Sequence, residues 1–173
     1  MQRQQLSPSE YDESTVYYLD LVPEGNLLDL LDQSRQKTMD FFSNIPPGKH
    51  DYRYASDKWT VKDVVQHLID VERIFAYRAL RFARGETQSL CGFDVDDYGA
   101  AQRAARRTMP ELLEEYSLAR QSTRQLFQSF DEEMLLASGI ASGIKVSVRV
   151  LGFKLIGHDR HHCGVVRERY LLQ

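Results

Sequence analysis

Three of the five histidines in this 173-residue chain fall within five positions, in the run Gly157-His158-Asp159-Arg160-His161-His162-Cys163-Gly164. A helix turns once every 3.6 residues, so side chains four apart lie one above the other on a single face. His158 and His162 are then two imidazoles one turn apart, the HxxxH arrangement that helical zinc sites use. A third ligand is needed to make a metal centre of the pair, and His67 is the candidate. In the stripe Leu151, Leu155, His158, His162 and Val165 or Val166, both histidines fall on the apolar face. His161 is rotated about 60° from it and borders the pair. His67 lies about 60° off the stripe Val64, Leu68, Val71, Phe75, at the edge of the core where it can reach a neighbouring helix. A second reading stays open on these residues alone: three core histidines, buried and satisfied by hydrogen bonds.

The elements that must carry these side chains are legible from periodicity and breakers. Residues 1–25 form a polar, tyrosine-containing arm that packs on the domain, with a short helix around Tyr11–Leu21. Leu27, Leu28, Leu30, Leu31, Met39, Phe41 and Phe42 predict a helix from about Asn26 to Asn44, stopped by Pro46-Pro47-Gly48. Thr60 is a good N-cap, with Asp63 three residues on, for a second long helix that runs to about Arg84 and ends at Gly85. Gly85–Asp97 reads as a loop and Tyr98–Thr108 as a short helix. Pro110 opens a third long helix that reaches about Phe130. Ala137–Lys145 reads as a turn region, with Val146-Ser147-Val148 the one strand-like segment, and a last helix runs from about Ser147 to Tyr170. The expectation is an all-α protein, a four-helix bundle in a single domain over 1–173, which would hold ligands between facing helices.

Composition narrows the function classes. A formal net charge of −3 gives no basic excess for tracking a phosphate backbone, so nucleic acid is not the expected partner. No apolar run approaches the roughly 18–20 residues of a membrane span, and no apolar stretch follows the polar start as in a secretion signal. Cys91 and Cys163 have no framework spacing and read as reduced thiols, which places the protein in the cytoplasm. Asp94, Asp96 and Asp97 lack the glycine and distal glutamate of a calcium loop and read as a turn and helix cap. Arg103, Arg106 and Arg107 read as a solvated face that, with Arg78, Arg81 and Arg84, could grip an anionic substrate. Trp59, Tyr52 and Tyr54 read as core or lid packing, and Cys163 as a small packing residue.

Five segments, in order, resemble the DinB-like superfamily of four-helix-bundle metalloproteins, which includes the YfiT-type proteins. Tyr17 to Asn26 is similar to its opening segment, and Tyr52 to Asp63 to its approach to the second long helix. His67 to Arg78 resembles its first-histidine motif, Gly92 to Tyr98 its inter-helix loop, and Gly157 to His162 its terminal histidine cluster. The resemblance implies that His67, His158 and His162 bind a divalent metal, with zinc or nickel the first candidates. It implies thiol-transferase chemistry on a small molecule, in which the metal activates a low-molecular-weight thiol. Metal-dependent hydrolysis is the adjacent alternative, and a non-enzymatic, stress-related bundle with a structural metal or buried histidines is a third. A homodimer is also expected from the family.

Three imidazoles leave a coordination position open for water or substrate, as catalytic zinc sites do and closed structural sites do not. A general base is harder to place. Asp70 is near enough in angle to orient His67 from outside, as carboxylates orient ligating imidazoles. Glu72, five residues beyond His67, sits about 140° around the helix and is a weaker candidate for the same role, alongside His161. The plainer expectation for Asp70, Glu72 and Asp159 is a solvated or ion-paired carboxylate.

Overall fold

Each long helix begins at a side chain that can accept a hydrogen bond from an otherwise unpaired amide. The computed structural model describes residues 1–172. α1 (Val16–Asp20) lies in the N-terminal arm, and α2 (Leu27–Ser43) starts where the Asn26 side chain accepts from the Leu28 amide. α3 (Val61–Ala83) opens with a reciprocal Thr60/Asp63 capping box, and α4 (Val95–Ala101) is capped by Asp94, which accepts from the amides of Asp96 and Asp97. α5 (Met109–Gln128) opens with a Thr108/Glu111 box, and α6 (Glu132–Leu136) is short. β1 (Ser138–Ala141) and β2 (Ile144–Ser147) pair antiparallel, Ser138 facing Ser147 and Ala141 facing Ile144. α7 (Val148–Val166) is capped by Ser147 and passes into a π-helical turn, Arg167–Leu171.

α2, α3, α5 and α7 form a four-helix bundle in which α2 and α3 each pack against both α5 and α7. The first two long helices therefore stand on the diagonal, joined by the connection 44–60. No helix among the described residues is long and apolar enough to cross a membrane.

The bundle interior is split in two. One apolar cluster takes Leu27, Leu31, Phe75, Phe82, Phe127, Leu151 and Leu155; the other takes Phe42, Val65, Leu68, Leu112, Val166 and Tyr170. Between them, every long helix contributes polar groups. Arg120 of α5, 1% exposed, donates from Nε and Nη2 to both carboxylate oxygens of Glu72 on α3, at 2.9 and 2.7 Å. The same Nη2 lies 3.0 Å from Oδ2 of Asp159 on α7. That oxygen also accepts from Ser34 of α2 and Tyr116 of α5, both at 2.8 Å. Burial alone would disfavour the charged guanidinium, and the carboxylates of Asp159 and Glu72 outweigh it, so Arg120 stays ionised. Glu72 and Asp159 are thus ion-paired, deep in the core.

The chain departs from the sequence expectation in three places. Ala137–Lys145 forms a hairpin, not just a turn region: Ser142 (φ 55) and Gly143 (φ 76) make the tight left-handed corner that two-residue hairpins need. Leu90 extends it, its amide donating to Ile140 and its carbonyl accepting from Ser142. The helix expected over Tyr98–Thr108 begins earlier, at the Asp94 cap, and breaks at Arg103 (φ 53) before a 3₁₀ turn. The arm, with 3₁₀ turns before its helix, is stitched to the bundle by bridges from Gln2 to Asn26 and Tyr11 to Val146, and by Glu10, which pairs with Arg149 and accepts from Ser147.

α1 lies so close to α7 that a side chain at Gly157 would collide with the Tyr18 carbonyl. Gly157→Ala should therefore push the arm off α7, seen as faster amide exchange over Val16–Asp20. Arg120→Met strands two buried carboxylates, and the urea midpoint should fall by the equivalent of about 3–5 kcal/mol. A loss below about 1 kcal/mol would show that the network is not what holds the layer.

Candidate metal centre

His67 projects from α3, and His158 and His162 from one face of α7, into the level of the polar layer. The Nε2 atoms of His67 and His162 each lie 3.1 Å from Nε2 of His158, and the ligand atoms of all three residues fall within 4.8 Å of one another. Their ring centroids are 4.5 to 4.9 Å apart.

Hydrogen bonding alone does not satisfy this arrangement. The Nε2 of a neutral imidazole has one in-plane position, holding either a proton or a lone pair. His158 Nε2 can therefore pair with His67 or with His162, and one nitrogen is left facing the others without a bond. A divalent ion resolves the conflict, because all three lone pairs can then point at one centre. Ligand nitrogens about 2.0–2.1 Å from a metal stand roughly 2.9–3.4 Å apart for right-angled to tetrahedral geometry, and the two 3.1 Å separations fit that range.

The protonation state fits as well. Burial, and after it the charge of His161, lowers His67 to about 4. Burial and the neighbouring imidazoles push His158 and His162 well below the ordinary histidine value. All three are neutral at pH 7, the form that binds metal.

Neighbouring elements hold the rings in place. Asp159 follows His158 directly, and its bonds to Ser34, Tyr116 and Arg120 fix the rotation of α7 that aims His158 at α3. Trp59 packs on His67 at 4.8 Å between centroids, and Gly99 of α4 gives it room, since any side chain there would meet the indole. The arm brings Tyr18 to 5.8 Å from His158, and its Tyr17 hydroxyl to 2.9 Å from Nδ1 of His161. Lys154, one turn before His158, sits over the rings of Tyr18 and Phe75 at 5.5 and 5.6 Å and forms no ion pair among the described residues. Burial, and then the charge of Arg78, lowers its ammonium.

The other residues singled out in the sequence lie as follows. His161 packs edge-on against His162 at 4.8 Å and bonds to Tyr17. Asp70 accepts from the Gln66 side chain and Glu72 from Arg120; neither carboxylate is bonded to a histidine among the described residues. The arginines divide: Arg78 donates to the Cys91 carbonyl and Ser142 hydroxyl, Arg81 pairs with Glu86, and Arg107 pairs with Glu115. Lys154, Tyr17 and Tyr18 were missed as neighbours of the centre. Lys154 did carry a signal, its i−4 spacing from His158; the tyrosines belong to a segment without a strong period.

In the metal-free protein the lowered histidines make stability depend on pH. Their folded values lie below the unfolded value, so between about pH 6.5 and about pH 4 the unfolded chain binds protons that the folded chain does not. Stability should fall as pH drops through that window. Urea unfolding of chelator-treated protein at pH 7.5 and pH 5 should show a lower midpoint at pH 5, and the difference should shrink in His67→Gln.

The profile of the DinB superfamily matches residues 30–166. The fold is similar to that of YfiT from Bacillus subtilis, described as a probable metal-dependent hydrolase with an unusual four-helix bundle topology; the TM-score is 0.73 at 15% sequence identity, over 82% of each chain. No curated protein sequence matches this one.

Proposed function

The chain belongs to the DinB superfamily, and from that membership and the histidine geometry we propose that it is a divalent-metal-dependent enzyme that hydrolyses a small molecule. The observation that carries the reading is the convergence of three neutral imidazole nitrogens, two of them 3.1 Å from the third, that hydrogen bonds cannot fully pair. His67, His158 and His162 would hold the ion, zinc or nickel, since imidazole suits both. With no fourth side-chain donor at the cluster among the described residues, the donor set is that of an open, catalytic site, not a closed one. A divalent ion there supplies Lewis-acid activation of a water nucleophile near neutral pH.

The chain's own residues would do the rest. Trp59 covers one side of His67 and excludes water from it. The Lys154 ammonium, unpaired and one turn from His158, offers positive charge to an anionic part of the substrate or to charge that develops on it. His161, held by Tyr17, can accept or release a proton at the rim of the site.

Thiol transfer, which the family resemblance put first, draws on the same open position. No described side chain around the histidines singles out a sulfur nucleophile, whereas YfiT is described as a probable metal-dependent hydrolase, so hydrolysis takes first place. Cys163 is not a stand-in for a thiol substrate, because burial pushes its own thiol up to about 12.

Activated aryl esters provide the test. Turnover should fall at least a hundredfold on chelation, return with added zinc or nickel, and be absent in folded His158→Ala. Turnover that survives both chelation and His158→Ala would contradict the proposal. Metal-dependent addition of a small thiol to an electrophile, without ester hydrolysis, would move the chemistry to thiol transfer.

A further inference from the structure

The flank of α7 turned away from the histidines carries a second site. Arg160, Cys163 and Arg167 recur at three- and four-residue steps on that flank, roughly 150° around the helix axis from the His158/His162 face. Together with Lys37, Thr38 and Phe41 of α2, and with Leu21, they line a cavity of 360 Å³. That volume suits a small ligand.

The chemistry of the wall is one-sided. Lys37, Arg160 and Arg167 bring three positive charges to the cavity, and none of them pairs with a carboxylate among the described residues. Several basic groups elsewhere pair with carboxylates, Arg73 and Arg107 with Glu115, Arg81 with Glu86, Arg124 with Asp32 and Arg149 with Glu10, whereas Lys37, Arg160 and Arg167 share one cavity whose lining holds no carboxylate among the described residues. Ser34, which also lines the cavity, donates to Asp159, and that carboxylate is committed to Arg120 and Tyr116 as well. Two of the cations are also held in orientation. Nη1 of Arg160 donates to the Leu21 carbonyl at 2.8 Å, and the Arg167 guanidinium lies over the Phe41 ring at 5.3 Å. Three like charges around one hollow repel one another, and an anion that bridges them removes that repulsion while forming charge-assisted hydrogen bonds. Leu21 and Phe41 add an apolar wall beside the charge.

We infer that this α2–α7 cavity binds a small organic dianion, a phosphate monoester or a dicarboxylate, whose charge is met by Lys37, Arg160 and Arg167 and whose carbon frame rests on Leu21 and Phe41. The site is independent of the histidine centre and stands or falls apart from the proposed hydrolysis.

Calorimetric titration of the chelator-treated full chain tests it, with phenyl phosphate and glutarate as the two probes. Saturable one-to-one binding of at least one probe is expected. It should weaken at least tenfold in Lys37→Gln and in Arg167→Gln, both at exposed positions, and stay unchanged in His67→Gln. Arg169→Gln, which removes the same charge outside the cavity, should change it little. Absence of saturable binding by both probes would overturn the site. So would equal weakening by Arg169→Gln and Arg167→Gln, or loss of binding in His67→Gln.

Discussion

A guanidinium buried between two carboxylates is the constraint on which this bundle depends. Arg120, Glu72 and Asp159 are each at most 2% exposed, and the ions are stable there only because each is met by the others. Such a network contributes little net stability compared with an apolar core, but it tolerates few geometries. It ties α3, α5 and α7 directly, and α2 through Ser34. Rotating α3, α5 or α7 by a fraction of a turn would bury an unpaired charge, and rotating α2 would cost Asp159 a hydrogen bond. The apolar clusters above and below supply the burial that drives folding, and the polar layer fixes the register in which they meet.

The histidine centre inherits that register. His158 precedes Asp159, so the bonds that hold Asp159 also set the direction of the His158 ring, and His162 follows one turn on. On α3, His67 and Glu72 are likewise separated by little more than a turn. The imidazoles are kept neutral by burial while the carboxylates beside them are spent on Arg120, so among the described residues the cluster offers lone pairs and no fourth side-chain donor. One protein layer thereby does two things: it closes the core, and it turns three imidazole nitrogens toward one another.

Much of this was legible in the sequence. The four long helices follow from apolar spacing and from caps that are purely local, Asn26, Thr60, Thr108 and Ser147, and their ends fall within a few residues of the expected positions. Helical period put His158 and His162 on one face and His67 at the edge of its own helix's core stripe, and the family resemblance implied that the three act together. The hairpin could not, since its strands are four residues long and half-exposed, with a corner set by one left-handed serine and one glycine. Glu72 and Asp159 read as ordinary carboxylates because nothing local to them announces Arg120, which is 48 residues from Glu72 and lies on a different helix from either. The arm's tyrosines reach the centre through tertiary docking against Gly157, a contact that no spacing rule encodes.

On the reading proposed above, three imidazoles and no other side chain would hold a divalent ion. X-ray absorption at the metal edge of the purified protein reads that ligand set. The expected spectrum is that of three imidazole nitrogens at about 2.0–2.1 Å completed by solvent oxygen. A shell containing sulfur, a fourth imidazole or a protein carboxylate, or a protein that takes up no divalent metal at all, would contradict it.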